Sequence, residues 1–196
     1  INDYLMSMKT KFRTRAKAVY RKSAPLTIKA LNAQDILKES EHIVRLFDSV
    51  LEKSDFHIGT MNPKTFAACK DKLGDDFVFK AFLIGEVMVG FSTAFKNGSS
   101  FDANYVGLDY SYNEQYNIYQ RMLYDYVEGA LESKVDELQF GRTSELIKSA
   151  VGAEPRDMTI YIKHKRKLSN IILKKVIQSV APSPFELRKP FKANFK

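Results

Sequence analysis

The chain has 196 residues, 44% hydrophobic and 28% charged, enough apolar material for one domain with a sizeable core. No run of about 18 apolar residues occurs, and no charged start leads into an apolar stretch with a small-residue cleavage site. The sequence therefore offers neither a membrane-spanning helix nor a secretion signal, and a soluble cytoplasmic protein is expected. The lone Cys69 excludes an internal disulfide, and its place between Phe66 and Leu73 at helical spacing reads as core packing. Net charge is +8 but uneven: residues 1–30 carry eight Lys/Arg against one acid, 31–155 twelve against twenty, and 156–196 eleven against two. Two basic ends around an acidic middle either converge as a surface for a polyanion or form ordinary solvated faces. Position 1 is Ile, and the chain opens directly into a helical pattern, as the later part of a longer polypeptide would.

In chain order, Leu5, Met8, Phe12, Ala16 and Val19 recur at helical spacing among Lys and Arg, predicting one basic amphipathic lead-in helix that ends before Pro25. Residues 25–196 then form the domain proper. Leu26 to Leu31 alternates as a strand, and Ile36, Ile43, Phe47 and Leu51 predict a second helix from Asp35 to near Ser54. Asn62-Pro63 supplies a cap and a first-turn proline for a third helix, which Gly74 ends.

Phe77 to Ile84, Val87 to Phe95 and Phe101 to Asp109 are rich in β-branched and aromatic residues and are separated by Gly85-Glu86 and Asn97-Gly98, predicting antiparallel hairpins. Asn117 to Ser133 returns to helical spacing, and Val135 to Phe140 follows as a short strand. Such a crossover makes the strands on either side of it parallel. Thr143 can cap a short helix that Gly152 ends, Met158 to Lys163 reads as a strand, and Leu168 to Val180 as a helix. The basic tail after Pro182 suits an edge strand.

The segments YVGLDY at 105–110, NIYQRMLYDYVEGAL at 117–131, LQFGRTSELIKSAVGAEP at 138–155 and YIKHK at 161–165 resemble the GNAT superfamily of acyl-CoA N-acyltransferases, in its Fem-related, peptidoglycan-biosynthesis branch. The resemblance covers roughly the last 120 residues, and the opening basic stretch is similar to the helix leading into the second GNAT-like half of such chains. It implies an α/β fold with a mixed, mostly antiparallel sheet, helices on both faces, and one parallel strand pair splayed at its carboxyl ends. It also implies that the pantetheine arm of acetyl-CoA or another acyl-CoA enters that gap as a pseudo-strand.

Here the gap would open between 101–109 and 135–140, so the implied cofactor-binding residues are Tyr110, Asn113, Gln115 and Asn117 on one side. On the other are Gly141, Arg142, Thr143, Lys148 and Ser149. One departure stands out. Where most GNAT enzymes carry a glycine-rich diphosphate loop, this chain reads YSYNEQYNIYQ, so side chains must replace close backbone contacts.

Acylating an amine requires a base, an oxyanion donor and an acid for the departing thiolate. Asp109 at a strand end is either that base or a turn cap. His164, inside Lys163-His164-Lys165-Arg166, is a second base or a surface histidine. Arg142 is an anion clamp or a structural ion pair. Tyrosines 110, 112, 116, 119, 124 and 126 are possible acids, of which Tyr119 is the one expected to face the gap; residues 144–151, where the family usually keeps its tyrosine, contain none, a second departure. Tyr124 and Tyr126 read as packing residues. Three scattered histidines and one cysteine show no metal-ligand spacing, so no metal is expected. Three functions follow from the resemblance: acyl transfer from CoA to an amine, Fem-like transfer from aminoacyl-tRNA, or binding by a catalytically degenerate domain.

Overall fold

The computed structural model describes residues 1–53, 61–141, 144–157, 159, 161–166, 169–173 and 185–193. Among the described residues five strands form one sheet in the order β1-β2-β3-β4-β5: Leu26–Ala30, Phe77–Ile84, Val87–Asn97, Ser100–Leu108 and Glu137–Gln139. The first four are mutually antiparallel, and β5 lies parallel to β4. Gly85 and Gly98 turn the two hairpins at φ +57° and +58°, the left-handed conformation that glycine adopts without steric cost.

Helices cover both faces. On one, α3 (Ala33–Lys38), α4 (Ser40–Leu51) and α5 (Pro63–Leu73) bury Ile36, Ile43, Leu46 and Phe66 against Phe77, Phe79 and Phe91. On the other, α7 (Ile118–Ser133) packs Leu123, Tyr126 and Ala130 with Ala94 and Phe101. Cys69 packs against the first of these cores. Asn62 caps α5, its side chain accepting from the Lys64 N–H over 3.0 Å, and Gly74 ends the helix at φ +56°. No helix among the described residues is long and apolar enough to cross a membrane.

The single lead-in helix is corrected to two, α1 (Asn2–Ser7) and α2 (Thr10–Lys22). Met8 is extended at ψ 147° because its backbone bridges Phe191, with Lys9 N–H donating to Pro190 O at 2.7 Å and Lys192 N–H to Ser7 O at 3.0 Å. The basic ends do meet at this bridge, which is the tail's one described sheet-like contact. Ala16 and Val19 of α2 share a core with Leu123, Tyr124 and Val151.

The helix expected from Asp35 to Ser54 is broken at Glu39 between α3 and α4. There the Ser40 hydroxyl donates to the Ile36 and Leu37 carbonyls. Where a loop was expected, Tyr110–Tyr116 forms α6. Lacking glycine, the segment is free to coil, and Asp109 caps it.

The short helix α8 is Glu145–Ser149 with Ser144 at its N-cap, while Thr143 lies outside the described residues. The strand expected over Met158 to Lys163 is not formed by its described members, Thr159 and 161–163, which are exposed and unpaired to the sheet. Of the expected helix from Leu168 to Val180, residues 169–173 are helical, and the others lie outside the described residues.

Candidate active site

β4 and β5 pair only at Ser100–Glu137, Phe101–Leu138 and Asp102–Gln139. Beyond Asp102, β4 continues for six residues to Leu108 without a described strand on that edge. A bulge lies at the same level. Ser92 faces Val106 and Ala94 faces Ala103, so Thr93 alone opposes Asn104 and Tyr105.

Side-chain hydroxyls hold this irregularity. Thr93 Oγ1 accepts from the Tyr105 N–H at 2.9 Å, and the buried Tyr126 hydroxyl donates to Thr93 O at 3.1 Å. Because Asp109 N–H donates to Val89 O on the β3 side, alternation aims the backbone groups of Val106 and Leu108 at the edge β5 leaves. A row of peptide groups without strand partners is what an extended, amide-bearing chain requires.

At the diverging end of β5 the chain turns through Gly141 at φ +66°. A side chain added there would begin 3.7 Å from Ala103 O, against the β4 backbone. Lys148, 8% exposed, reaches back from α8 to donate to Phe140 O at 2.7 Å and Gly141 O at 3.4 Å. Burial pulls its ammonium pKa down to about 8, with Glu145 opposing.

Tyr119, in the first turn of α7, lies beside Ser144 at the start of α8. Burial raises its phenol pKa, with smaller opposing and reinforcing effects from Ser144 and Glu145, so it stays protonated at neutral pH. Ser144 adopts φ +57°, a conformation that a non-glycine residue adopts at a cost. Tyr119, Ser144 and Lys148 thus gather around the end of β5.

The remaining residues singled out in the sequence are distributed as follows. Asp109 Oδ1 accepts from the Ser111 N–H at 2.9 Å and its hydroxyl at 2.6 Å, so its carboxylate caps α6. Asn113 Oδ1 accepts from the Tyr119 N–H at 3.0 Å and closes one donor at the amino end of α7. Asn117, at φ +51°, ends α6 and begins α7 at once. Gln115 is exposed on α6, and Tyr110 carries the Lys53 ammonium 3.7 Å above its ring.

Ser149, 1% exposed, donates to Leu146 O and accepts from the Arg188 N–H, which anchors the tail. His164 stands in an exposed loop, with Nδ1 accepting from the Arg166 N–H at 3.1 Å, and no described contact brings it to β4 or β5. Arg142 lies outside the described residues. Among the described residues no group of His, Cys, Asp and Glu could hold a metal.

Sequence reasoning missed Thr93, Asn104 and Tyr105. The one signal for them is the Ser92-Thr93 hydroxyl pair, which interrupts the otherwise apolar run Val87 to Phe95 and lies at 2% and 0% exposure.

No protein-family model matches the chain, and no curated protein sequence matches it. Solved structures do. An aminoglycoside acetyltransferase from an uncultured soil metagenomic sample, in complex with trehalose, aligns at TM-score 0.53 and 18% identity over 71% of this chain and 97% of that one. An acetyltransferase from Trypanosoma brucei aligns at TM-score 0.52 and 14% identity, over 71% and 99%. A GNAT family acetyltransferase from Staphylococcus aureus aligns at TM-score 0.52 and 12% identity, over 71% and 98%. The likeness is one of fold, and the chain has the GNAT fold.

Proposed function

We propose that the protein is an N-acyltransferase that moves an acyl group, acetyl in the simplest case, from CoA to an amine. The observation carrying this reading is the parting of β4 from β5 after Asp102 and Gln139, at a bulge held by Thr93 and Tyr126. A closed sheet gains nothing from such a break, whereas an edge of outward-facing peptide groups suits the amides of a pantetheine arm. The match is poorer at the diphosphate. α6 stands where the fold usually places a glycine loop, and Asn113 already satisfies the Tyr119 N–H. The exposed end of α6, with Gln115 and Asn117, is left to meet those phosphates by side chain.

When bound, an acyl-CoA supplies the activated thioester. The chain's own part is positioning and proton transfer. The backbone of Val106 and Leu108 orients the donor, Lys148 fixes where β5 turns away, and the protonated Tyr119 hydroxyl stands ready as an acid near the same end.

The test is calorimetric titration with acetyl-CoA and longer acyl-CoAs. One-to-one binding that free CoA competes away is expected, and absence of binding by every member of the series overturns the assignment. The displaced diphosphate loop favours one second reading, a Fem-like transferase drawing on aminoacyl-tRNA in cell-wall peptide synthesis. Salt-sensitive tRNA binding without acyl-CoA binding would select it. Acyl-CoA binding with no turnover on any amine would mark a degenerate binding domain.

A further inference from the structure

Between α2, α7, α8 and the carboxyl-terminal segment lies a pocket of about 140 Å³. Its floor is apolar, built from Phe12 and Val19 of α2, Leu123 of α7, and Ile147 and Val151 in and just after α8. A cavity of about 150 Å³ with such a lining takes up benzene, which sets the size of what fits.

The rest of the wall has different chemistry. Arg15 stands at the exposed rim, Arg188 opposes it from the carboxyl-terminal segment, and Tyr124 enters from α7. Ion pairs among the described residues join Lys70 to Asp75, Lys80 to Asp125, Arg121 to Glu128 and Arg156 to Glu137, so neither Arg15 nor Arg188 has a described carboxylate partner. Tyr124 is only 4% exposed, yet its hydroxyl makes no hydrogen bond among the described residues and is not sealed from solvent-sized space. A hydroxyl that is open in this way, on a residue that lines the pocket, and bonded to no described residue is a donor available to a ligand. Burial raises its pKa to about 12, against the pull of Arg15, so it remains a donor at neutral pH.

We propose that this pocket binds a small amphipathic carboxylate, its apolar body of about benzene size on the floor and its carboxyl group held by Tyr124, Arg15 and Arg188. The two guanidiniums select an anion, and their planar forks match a carboxylate. The floor selects against a bare inorganic anion, which would leave the apolar lining uncovered.

The probes are benzoate and hexanoate, followed by calorimetry and saturation-transfer NMR. Benzyl alcohol serves as the body without the charge, and inorganic phosphate as the charge without the body. At least one carboxylate should bind saturably, with both controls weaker by about tenfold or more. Arg188→Ala and Tyr124→Phe should each weaken that binding by about tenfold while the circular dichroism spectrum stays unchanged. Should Tyr124→Phe fail to fold, Arg15→Ala at the rim decides in its place. The proposal is overturned if neither carboxylate binds, if phosphate or benzyl alcohol binds as tightly, or if the arginine variants bind like the parent.

Discussion

The Lys148 ammonium donates across 2.7 Å to the carbonyl oxygen of Phe140, so the helix that follows β5 grips that strand's exit from the sheet. Because burial holds its pKa near 8 against an ordinary 10.5, the folded protein carries fewer protons than the unfolded chain between those values. The contribution to stability therefore rises as pH climbs through that window and is flat below it. At roughly 1.4 kcal/mol per pKa unit the rise is on the order of 3 kcal/mol. Urea unfolding at about pH 7 and about pH 10.5 should show it for the parent but not for Lys148→Met, and parallel slopes for the two would refute it.

Tyr119 offers a kinetic test. Tyr119→Phe keeps the ring in its packing place and removes only the hydroxyl beside Ser144. Turnover of acetyl-CoA, followed by thiol release, should fall by about 10²-fold in kcat with KM for the thioester little changed. An unchanged kcat would remove Tyr119 from the chemistry.

Gly107 is required by close approach rather than by backbone angle. A methyl group there would start 2.0 Å from the Phe91 ring and 2.9 Å from Leu46 Cβ. Gly107→Ala should destabilise the protein by about 1–3 kcal/mol, read as a lowered denaturation midpoint, because Phe91 is fully buried and cannot step aside.

Lys80 and Asp125 join β2 to α7 through a 2.9 Å ion pair, with the Asp125 carboxylate 7% exposed. Burial pushes the Asp125 pKa up more strongly than Lys80 pulls it down, so desolvation outweighs the attraction. Asp125→Ala, which leaves the 23% exposed Lys80 ammonium without its partner, should cost about 1–3 kcal/mol. The double change Lys80→Met with Asp125→Leu should recover most of that loss in the same unfolding assay.

The parts of the fold legible in the sequence are those set by neighbouring residues. Gly85 and Gly98 mark hairpins because a positive φ is a local demand, and Asn62-Pro63 marks the start of α5 because its cap bond spans two residues. The break at Met8 was hidden because its cause, Phe191, lies at the other end of the chain. α6 was hidden for the opposite reason, since the missing glycines bear on how a diphosphate is held and equally permit a helix.

At the site, the crossover dictates that β4 and β5 run parallel, whereas the gap between them was implied only by the family resemblance. Which side chains face the gap depended on hydrogen bonds that no periodicity announces. Asp109 turns to Ser111 and Asn113 to Tyr119, while Lys148 folds back on Phe140. The bulge at Asn104 and Tyr105 needed the Thr93 hydroxyl opposite, a cross-strand fact carried by a single polar residue.

That bulge gives β4 an unusual sensitivity to length. Phe101 and Ala103 before it, and Val106 and Leu108 after it, all pack on the α7 side, so excising Asn104 would leave every other side chain of the strand facing as it does now. A one-residue deletion would thus turn the bulged β3–β4 ladder into a continuous one without changing which face any remaining side chain meets, whereas most point substitutions in the same strand would leave the bulge in place. Chains of this fold that lack the proposed chemistry are therefore to be sought among those whose fourth strand is shorter by one.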